Sequence, residues 1–269
     1  MTKIALITGA NRGIGFHIAR GLGGHGVHVL LGCRSKADGD AAAAALRAEG
    51  VTADALHLDV TDPATVAAAA ALVRDRHGRL DILVNNAGIA LADGTWASTE
   101  MTVETLRTVY ETNVFGVVSV TNACAPLLRA ADAARIVNVS SEVGSLGVMF
   151  DPRSHLWPLQ LGAYGSSKTA LNALTVSYAK EFWDTPVKVN AVSPGYTDTD
   201  LGRPRPLDAA SRDTEFTPDP DTWDGATPRK RTPAEGAAIA VELALTGPDG
   251  PTGGFFTDDP HYGDRRLPW

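Results

Sequence analysis

The chain lacks the features on which several protein classes depend. It has two cysteines, Cys33 and Cys124, which are too few for a disulfide framework or a cysteine-based metal site, and we expect both to be reduced and buried. No apolar run approaches the length of a membrane span, and the short one near the N-terminus does not suit a signal peptide. With a net charge of −7, the chain has no basic excess for binding nucleic acid or an anionic membrane. We therefore expect a cytoplasmic globular protein without a metal site.

Apolar runs alternate with helical segments along the chain. Strands covered on both faces are predicted at 3–8, 27–32, 53–60, 80–86, 134–141 and 187–194. Helices are predicted at 14–24, 37–49, 62–77, 101–130 and 163–183. This alternation predicts a single α/β domain over residues 1–269, with a doubly wound parallel sheet of about seven strands and helices on both faces.

One segment interrupts the alternation. Residues 200–233 are rich in proline and charge and are too long for an ordinary connection, so they form either a substrate lid or a partly disordered stretch. Their basic clusters are interspersed with acidic residues, which favours a solvated loop over a nucleic-acid patch.

The sequence TGANRGIG, residues 8–15, joins the first predicted strand to the first predicted helix. Glycines at these spacings let the backbone turn tightly and approach a pyrophosphate, and the helix N-terminus offers N–H groups to it. Any tight strand–helix turn also favours glycine, but the place in a βαβ unit predicts a dinucleotide site in a Rossmann-type sheet. The loop residues expected to contact the cofactor are Gly9, Asn11, Arg12, Gly13, Ile14 and Gly15.

The second predicted strand ends without the carboxylate that would favour NAD. Its sequence is LLGCRS, with Cys33 and Arg34 where NAD-binding units carry an acidic residue for the ribose 2′-hydroxyl. A guanidinium can instead bind a 2′-phosphate through paired hydrogen bonds. We therefore predict that Arg34, assisted by Arg12, binds the 2′-phosphate and that the cofactor is NADP(H) rather than NAD(H). The alternative is that both arginines are merely exposed and contact no cofactor.

Two further strand ends carry candidate cofactor contacts. Asp59, followed by Val60, is placed to accept a hydrogen bond from the adenine amino group, since Thr61 or Asp62 is better placed to cap the next helix. NNAG, residues 85–88, ends the fourth predicted strand at the edge where open α/β sheets bind ligands, although a plain polar turn is the alternative. The residues expected to contact the cofactor there are Asn86, Ala87 and Gly88.

The sequence AYGSSK, residues 163–168, sets Tyr164 and Lys168 one helical turn apart on one face. Carbonyl reduction by hydride leaves an alkoxide that needs a proton from a group within hydrogen-bond distance. A nearby ammonium is expected to lower the pKa of a tyrosine from its usual value near 10, and Lys168 is also placed to hold the nicotinamide ribose. Ser140 or Ser141, after the fifth strand, is expected to orient the substrate oxygen, since strand alternation directs only one of them to the cleft.

Six motifs occur in order: TGANRGIG, NNAG, NVFG, VNVSS, YGSSK and SPGYTDT. In this combination the chain resembles the short-chain dehydrogenase/reductase family in its single-domain form, and NRGIG followed by CRS is similar to the NADPH-dependent carbonyl reductase branch. The resemblance implies that Ser141 is the active-site serine, Tyr164 the acid/base and Lys168 its partner, with Asn113 supporting a water-linked proton relay. It also implies a turn that receives the nicotinamide carboxamide, with the residues Pro194, Gly195, Thr197 and Thr199.

The chain departs from the family pattern between Ser141 and Tyr164, where the spacing is longer than usual. The extra residues, within 146–162, are expected to border the substrate cleft. Because such an insertion can obstruct helix pairing in the carbonyl reductase branch, both a monomer and a homo-oligomer stay open. Aromatic residues that together favour an apolar pocket, although each alone suits packing, are Phe150, Trp157, Tyr196 and Trp223.

The predicted function is an NADP(H)-dependent oxidoreductase that interconverts a ketone or aldehyde and an alcohol, as a carbonyl reductase. Three alternatives remain at this point: an NAD-dependent alcohol dehydrogenase working oxidatively, a nucleotide-sugar epimerase or dehydratase, and a non-enzymatic NADPH-binding redox sensor. The epimerase group shares Tyr-x-x-x-Lys but has a different glycine pattern and a larger C-terminal domain. The small-molecule partner is a carbonyl or alcohol whose identity the sequence does not give.

Overall fold

The computed structural model describes residues 2–90, 98–157, 159, 161–199, 201 and 229–269. Seven parallel strands form a sheet in the order β3-β2-β1-β4-β5-β6-β7. The strands are β1 (Ile4–Thr8), β2 (His28–Cys33), β3 (Ala53–His57), β4 (Ile82–Asn85), β5 (Arg135–Val139), β6 (Lys188–Ser193) and β7 (Phe255–Thr257). The predicted doubly wound sheet is confirmed. Its order reverses between β1 and β4, where open α/β sheets bind ligands beyond the carboxyl ends of the strands.

Helices cover both faces of this sheet. They are α1 (Gly13–Gly24), α2 (Lys36–Ala48), α3 (Pro63–His77), α4 (Val103–Tyr110), α5 (Gly116–Arg129), α6 (Leu146–Met149), α7 (Gly162–Glu181) and α8 (Pro233–Leu245). Within the described part of the chain, no helix has the length and apolarity that crossing a bilayer requires.

Two apolar cores, one on each face, hold the layers together. On one face, α1 and α8 pack on the sheet beside α2, with Leu22 and Leu243 among the buried side chains. On the other face, α3, α5 and α7 contribute Val73, Leu128 and Ala179 to a second core. Because both faces are covered, the strands are almost wholly apolar, which is why the sequence pattern located them.

Local chemistry sets several helix ends. Asp62 caps α3 by accepting a hydrogen bond from the N–H of Ala64, and Pro63 occupies the first helical position. Of the two predicted caps, Thr61 and Asp62, the structure uses Asp62, and Asp59 is not the cap. Thr232 and Glu235 form a reciprocal capping box at the start of α8.

The predicted helix 101–130 is confirmed as a continuous helical stretch over residues 103–129, with a change of helix type in its middle. Residues 111–115 form a π-helical turn, Glu111–Phe115, between α4 and α5. The sequence pattern did not predict this turn, because a π turn inserts a residue without breaking the apolar pattern on either side. The turn carries Asn113 and directs it into the protein interior.

The two irregular segments are described only in part. The segment 146–162 contains α6 and a series of turns up to Trp157, and its last residue begins α7. Of the predicted lid 200–233, residues 200 and 202–228 lie outside the described residues, and Trp223 is among them. Its final residues belong to the fold, because Arg231 bridges to Thr197 and α8 begins at Pro233. Sequence periodicity missed both α8 and the three-residue strand β7.

Candidate active site

The glycine loop follows β1 at the carboxyl edge of the sheet. Gly9 and Gly13 have φ angles of 65° and 57°, which residues with a Cβ rarely adopt. Arg12, at the N-cap of α1, makes no side-chain capping hydrogen bond, so the first N–H groups of α1 are available to an anion. Among the residues that the structure describes, the atom nearest to a Cβ built on Gly13 belongs to Thr199, at 3.8 Å. Asn11 and Ile14 are half-buried in the loop, which fits a dinucleotide pyrophosphate.

Asn86 holds this loop in place. Its Nδ2 donates to the carbonyl oxygens of Thr8 at 2.8 Å and Gly9 at 3.2 Å, and the N–H groups of Asn86 and Ala87 donate to Oγ1 of Thr8 at 3.0 and 2.9 Å. A Cβ on Gly15 would collide with the Asn86 amide and lie 2.6 Å from the Gly9 oxygen. The structure therefore gives Asn86 and Gly15 internal packing and positioning contacts within the cofactor-facing loop.

Arg34 lies next to the glycine loop along the sheet edge. It directly follows β2, and the N–H of Gly9 donates to the carbonyl of Gly32 in that strand at 2.8 Å. Arg34 and Arg12 are both exposed. Cys33 is buried, and burial raises the pKa of its thiol to about 11, so it is a packing residue rather than a nucleophile.

Asp59 follows β3, and one oxygen of its carboxylate already accepts hydrogen bonds from Thr61. Oδ1 of Asp59 accepts hydrogen bonds from the backbone N–H of Thr61 at 3.0 Å and from its hydroxyl at 2.8 Å. Val60 is buried and packs closely against Gly116 at the start of α5. Asp59 thus sits at the predicted edge, with its orientation fixed by a local turn.

The two serines after β5 point in different directions. Ser140 is buried and its hydroxyl donates to Oδ1 of Asn172 in α7 at 2.7 Å. Ser141 is half-buried and lies close enough to Tyr164 for its hydroxyl to lower the pKa of that phenol. The expectation that only one serine faces the cleft agrees with this arrangement, and the serine beside the tyrosine is Ser141.

Tyr164 and Lys168 lie on one face of α7, as their spacing indicates. The Lys168 amine is 5.5 Å from the centroid of the tyrosine ring and donates to the carbonyl of Val139 at 2.8 Å. Burial lowers the pKa of Lys168 to about 8. Burial also raises the pKa of Tyr164 to about 12, helped by the charge of Glu142 and opposed by the hydroxyl of Ser141.

The expectation that Lys168 lowers the tyrosine pKa is therefore wrong for the protein alone. The spacing of Tyr164 and Lys168 indicates an ammonium one turn away, but it does not show that the phenol loses its contact with water. Desolvation penalises the charged form of each group and is the largest cause of both pKa shifts.

Asn113, in the π turn, is buried beneath the site, next to Gly88. It is fully buried, its Oδ1 accepts from the N–H of Ile89 at 2.9 Å, and its Nδ2 donates to the Ile89 carbonyl at 2.9 Å and to Ser167 at 3.0 Å. A Cβ placed on Gly88 would lie 3.4 Å from Oδ1 of Asn113 and 3.6 Å from Nζ of Lys168. The backbone of Gly88 and the side chains of Asn113 and Lys168 therefore lie next to one another.

The turn after β6 is the last of the predicted cofactor segments at the carboxyl edge of the sheet. Gly195 has a φ of 69°, and the Thr197 hydroxyl donates to the Pro194 carbonyl at 3.1 Å. Arg231 fastens the turn by donating to the Pro194 carbonyl at 2.8 Å and to Asp258 at 2.7 Å. Thr199 lies opposite Gly13 of the glycine loop, so the two predicted cofactor segments face each other.

Comparison with known proteins identifies the family. The family model described as short chain dehydrogenase matches residues 3–209. The chain belongs to the short-chain dehydrogenase/reductase family. It is an oxidoreductase that acts on a carbonyl/alcohol pair with a nicotinamide cofactor.

Individual relatives of this short-chain dehydrogenase/reductase span its whole length. Short-chain dehydrogenase/reductase ATR10 of Stachybotrys chlorohalonatus is 35% identical over 279 aligned positions, covering 99% of this chain and 94% of the relative. (−)-Isopiperitenone reductase of Mentha piperita is 32% identical and covers 96% of both chains. Among solved structures, an actinorhodin polyketide ketoreductase with NADPH has a TM-score of 0.79 and 30% identity, covering 98% of each chain.

A network of buried polar side chains, not predicted from the sequence, lies beneath this short-chain dehydrogenase/reductase site. Nδ2 of Asn85 donates to Thr121 at 3.1 Å and to Oδ1 of Asn138 at 2.9 Å, and Nδ2 of Asn138 donates to Thr175 at 2.8 Å. These side chains tie β4 and β5 to α5 and α7. Asn85 and Asn138 stand in otherwise apolar strands, and this pattern could have predicted the network, because a buried amide needs hydrogen-bond partners.

Proposed function

We propose that the protein is a carbonyl reductase that uses NADPH to convert a ketone or an aldehyde to an alcohol. The observation that carries this proposal is the placement of Tyr164 and Lys168 on one face of α7, with the Lys168 amine 5.5 Å from the tyrosine ring, at the sheet edge that also carries Ser141 and the glycine loop. This arrangement offers a proton donor and an orienting hydroxyl at one sheet edge.

The cofactor would be held by residues that follow five strands, β1 to β4 and β6, and by two residues of α7, and when bound it supplies the hydride. The free N–H groups of α1 and the glycine loop would receive the pyrophosphate. The turn after β6 would receive the carboxamide. The full proposed set is Gly9, Asn11, Arg12, Gly13, Ile14, Gly15, Arg34, Asp59, Val60, Asn86, Ala87, Gly88, Tyr164, Lys168, Pro194, Gly195, Thr197 and Thr199.

The preference for NADPH depends on this chain's own arginines. Related structures hold NADPH, NADP or NADH, so family membership leaves the choice of dinucleotide open. Arg34 follows β2 where a carboxylate would favour NAD, and it is exposed at the edge that carries the glycine loop. A guanidinium there favours a 2′-phosphate through charge-assisted hydrogen bonds.

Each catalytic side chain has a distinct task in the proposed reaction. Ser141 donates a hydrogen bond to the substrate oxygen, and Tyr164 donates its phenolic proton to the same oxygen as negative charge develops there. With a pKa near 12, the phenol is protonated at neutral pH and ready to donate. Lys168 returns a proton to the phenolate through the relay that Asn113 supports, and Lys168 also binds the nicotinamide ribose.

The irregular segments offer apolar surface for the substrate. Phe150 and Trp157 contact each other with ring centroids 5.7 Å apart, and both are exposed, as is Tyr196. Because exposed aromatic side chains suit apolar ligands, we propose a substrate with a bulky apolar body next to its carbonyl.

An NADPH-oxidation screen tests the proposed function. Cyclic ketones, aryl ketones, quinones and aldehydes are offered, and consumption of NADPH is followed at the absorbance of the reduced nicotinamide. We expect turnover with at least one apolar carbonyl and a higher kcat/KM with NADPH than with NADH. Binding of NADPH without turnover across the panel would support the redox-sensor alternative instead, and faster alcohol oxidation with NAD would support the oxidative alternative.

A further inference from the structure

A buried arginine packs against the turn that follows β6. Arg231 stands two residues before the start of α8, and only 7% of its side chain is exposed. Its Nη1 donates to the Pro194 carbonyl at 2.8 Å and to Oδ1 of Asp258 at 2.7 Å, and its Nη2 donates to the Glu235 carbonyl at 2.9 Å. One guanidinium therefore joins the turn after β6 to the first turn of α8 and to the segment after β7.

The backbone of Arg231 holds the same part of the chain. Its N–H donates to the Tyr196 carbonyl at 2.7 Å, and its carbonyl accepts from the N–H of Asp198 at 2.8 Å. These two bonds make the parallel bridge between Thr197 and Arg231. Thr199, which faces the glycine loop, comes one residue after this pairing. Arg231 thus fixes both the turn and the segment that leads from it to the glycine loop.

The contacts around Gly195 leave the turn little room to shift. A Cβ on Gly195 would lie 3.1 Å from Cδ and 3.3 Å from Nη1 of Arg231, and it would collide with the Asp259 carboxylate. The Pro194 carbonyl accepts from the Thr197 hydroxyl at 3.1 Å as well as from Arg231, so both of its lone pairs are used inside the protein. The position of the turn therefore depends on the guanidinium packed against it.

Arg231 does not suit direct contact with a cofactor phosphate. Its side chain is buried, its terminal nitrogens already donate to two carbonyls and a carboxylate, and Asp258 balances its charge. Arg12 and Arg34, in contrast, are exposed at the carboxyl edge of the sheet. Any effect of Arg231 on cofactor binding therefore passes through the turn that it holds.

We propose that Arg231 is a positioning residue that aligns the nicotinamide half of the cofactor by holding the turn at Pro194 and Gly195. The inference rests on the proposed function, in which this turn receives the carboxamide. A turn that shifts would misplace the nicotinamide ring, while the adenine half stays bound by the glycine loop and Arg34. A guanidinium suits this task because its planar fork donates in several directions at once, whereas an ammonium is a single compact donor.

The test compares two ligands that differ in the nicotinamide half. NADPH extends to the turn, whereas adenosine 2′,5′-bisphosphate consists of the adenine, its ribose, the 2′-phosphate and one further phosphate. The Kd of each is measured by calorimetry on the full chain. In Arg231→Gln the Kd for NADPH is expected to rise about tenfold, as for the loss of one well-placed hydrogen bond. The Kd for the bisphosphate is expected to stay within about twofold of the wild type.

Arg231→Lys covers the case in which Arg231→Gln does not fold, since the glutamine leaves Asp258 buried without its counter-charge. Lysine keeps a positive charge opposite Asp258 but cannot reproduce the fork that reaches both Pro194 and Glu235. The Kd for NADPH is therefore expected to rise about threefold, again with the Kd for the bisphosphate unchanged.

Arg229→Gln is the matched control. Arg229 lies two positions earlier on the same segment, is exposed, and pairs with the Glu235 carboxylate, so its loss changes the net charge equally without touching the turn. Both Kd values are expected to stay within about twofold of the wild type. Equal weakening of the two ligands in the Arg231 variants, or no weakening of NADPH, would overturn the inference. A selective loss of NADPH affinity in a protein that reduces no carbonyl would retain the role of Arg231 and reject the proposed function.

Discussion

Arg34→Asp is expected to reverse the cofactor preference. The residue follows β2 and is exposed at the sheet edge beside the glycine loop. A charge-assisted hydrogen bond contributes about 1.5–3 kcal/mol, and exposure places this one at the lower end. A carboxylate about 5 Å from a doubly charged phosphate adds roughly 1.5 kcal/mol of repulsion in water. The sum, about 3 kcal/mol, predicts a roughly 100-fold fall in the ratio of kcat/KM for NADPH to that for NADH.

The assay is steady-state reduction of one carbonyl substrate with each cofactor at low salt, where exposed charges are least screened. Arg76→Asp is the matched control, because Arg76 is exposed in the last turn of α3, away from the carboxyl edge. It changes net charge equally and is expected to leave the ratio unchanged. A ratio in Arg34→Asp within about twofold of the wild type, or a fall shared by Arg76→Asp, would refute the reasoning.

Two matched pairs test the architecture of the site. Gly15→Ala places a Cβ 2.6 Å from the carbonyl oxygen of Gly9 and is expected to cost about 1–3 kcal/mol of unfolding free energy and to weaken NADPH binding. Gly24→Ala, whose Cβ has no atom of the described residues within 4 Å, is expected to be neutral or stabilising in the same thermal and chemical denaturation. Ser141→Ala is expected to lower kcat at least tenfold with little change in stability, since its hydroxyl acts on the Tyr164 phenol. Ser140→Ala is expected to lose about 1 kcal/mol of stability, because its hydroxyl bonds Asn172 of α7, and to retain most turnover. Loss of turnover in Ser140→Ala but not in Ser141→Ala would instead make Ser140 the catalytic serine.

The sheet and the main site could be predicted because they depend on local patterns. Strands buried on both faces leave apolar runs such as that of β1, and their carboxyl ends must meet at one edge. Tyr164 and Lys168 share a face through helix geometry alone. The capping box of Thr232 and Glu235 was also readable, and it would have located the start of α8.

The remaining features depend on contacts between distant segments. Whether Asn86 faces a ligand or the glycine loop is decided by its distance from Thr8, which lies 78 positions away in the sequence. The π turn at Asn113 leaves no trace in side-chain periodicity. The pKa of Tyr164 depends on burial and on Glu142, and neither follows from the spacing to Lys168.

The central claim is that the Tyr164 phenol delivers the proton, and Tyr164→Phe tests it most directly. The substitution removes one hydroxyl and keeps the ring. We expect kcat for carbonyl reduction to fall by about 10²–10⁴-fold, while the Kd for NADPH, measured by calorimetry, stays within about twofold of the wild type. Turnover close to the wild-type value, with NADPH still bound, would contradict the account.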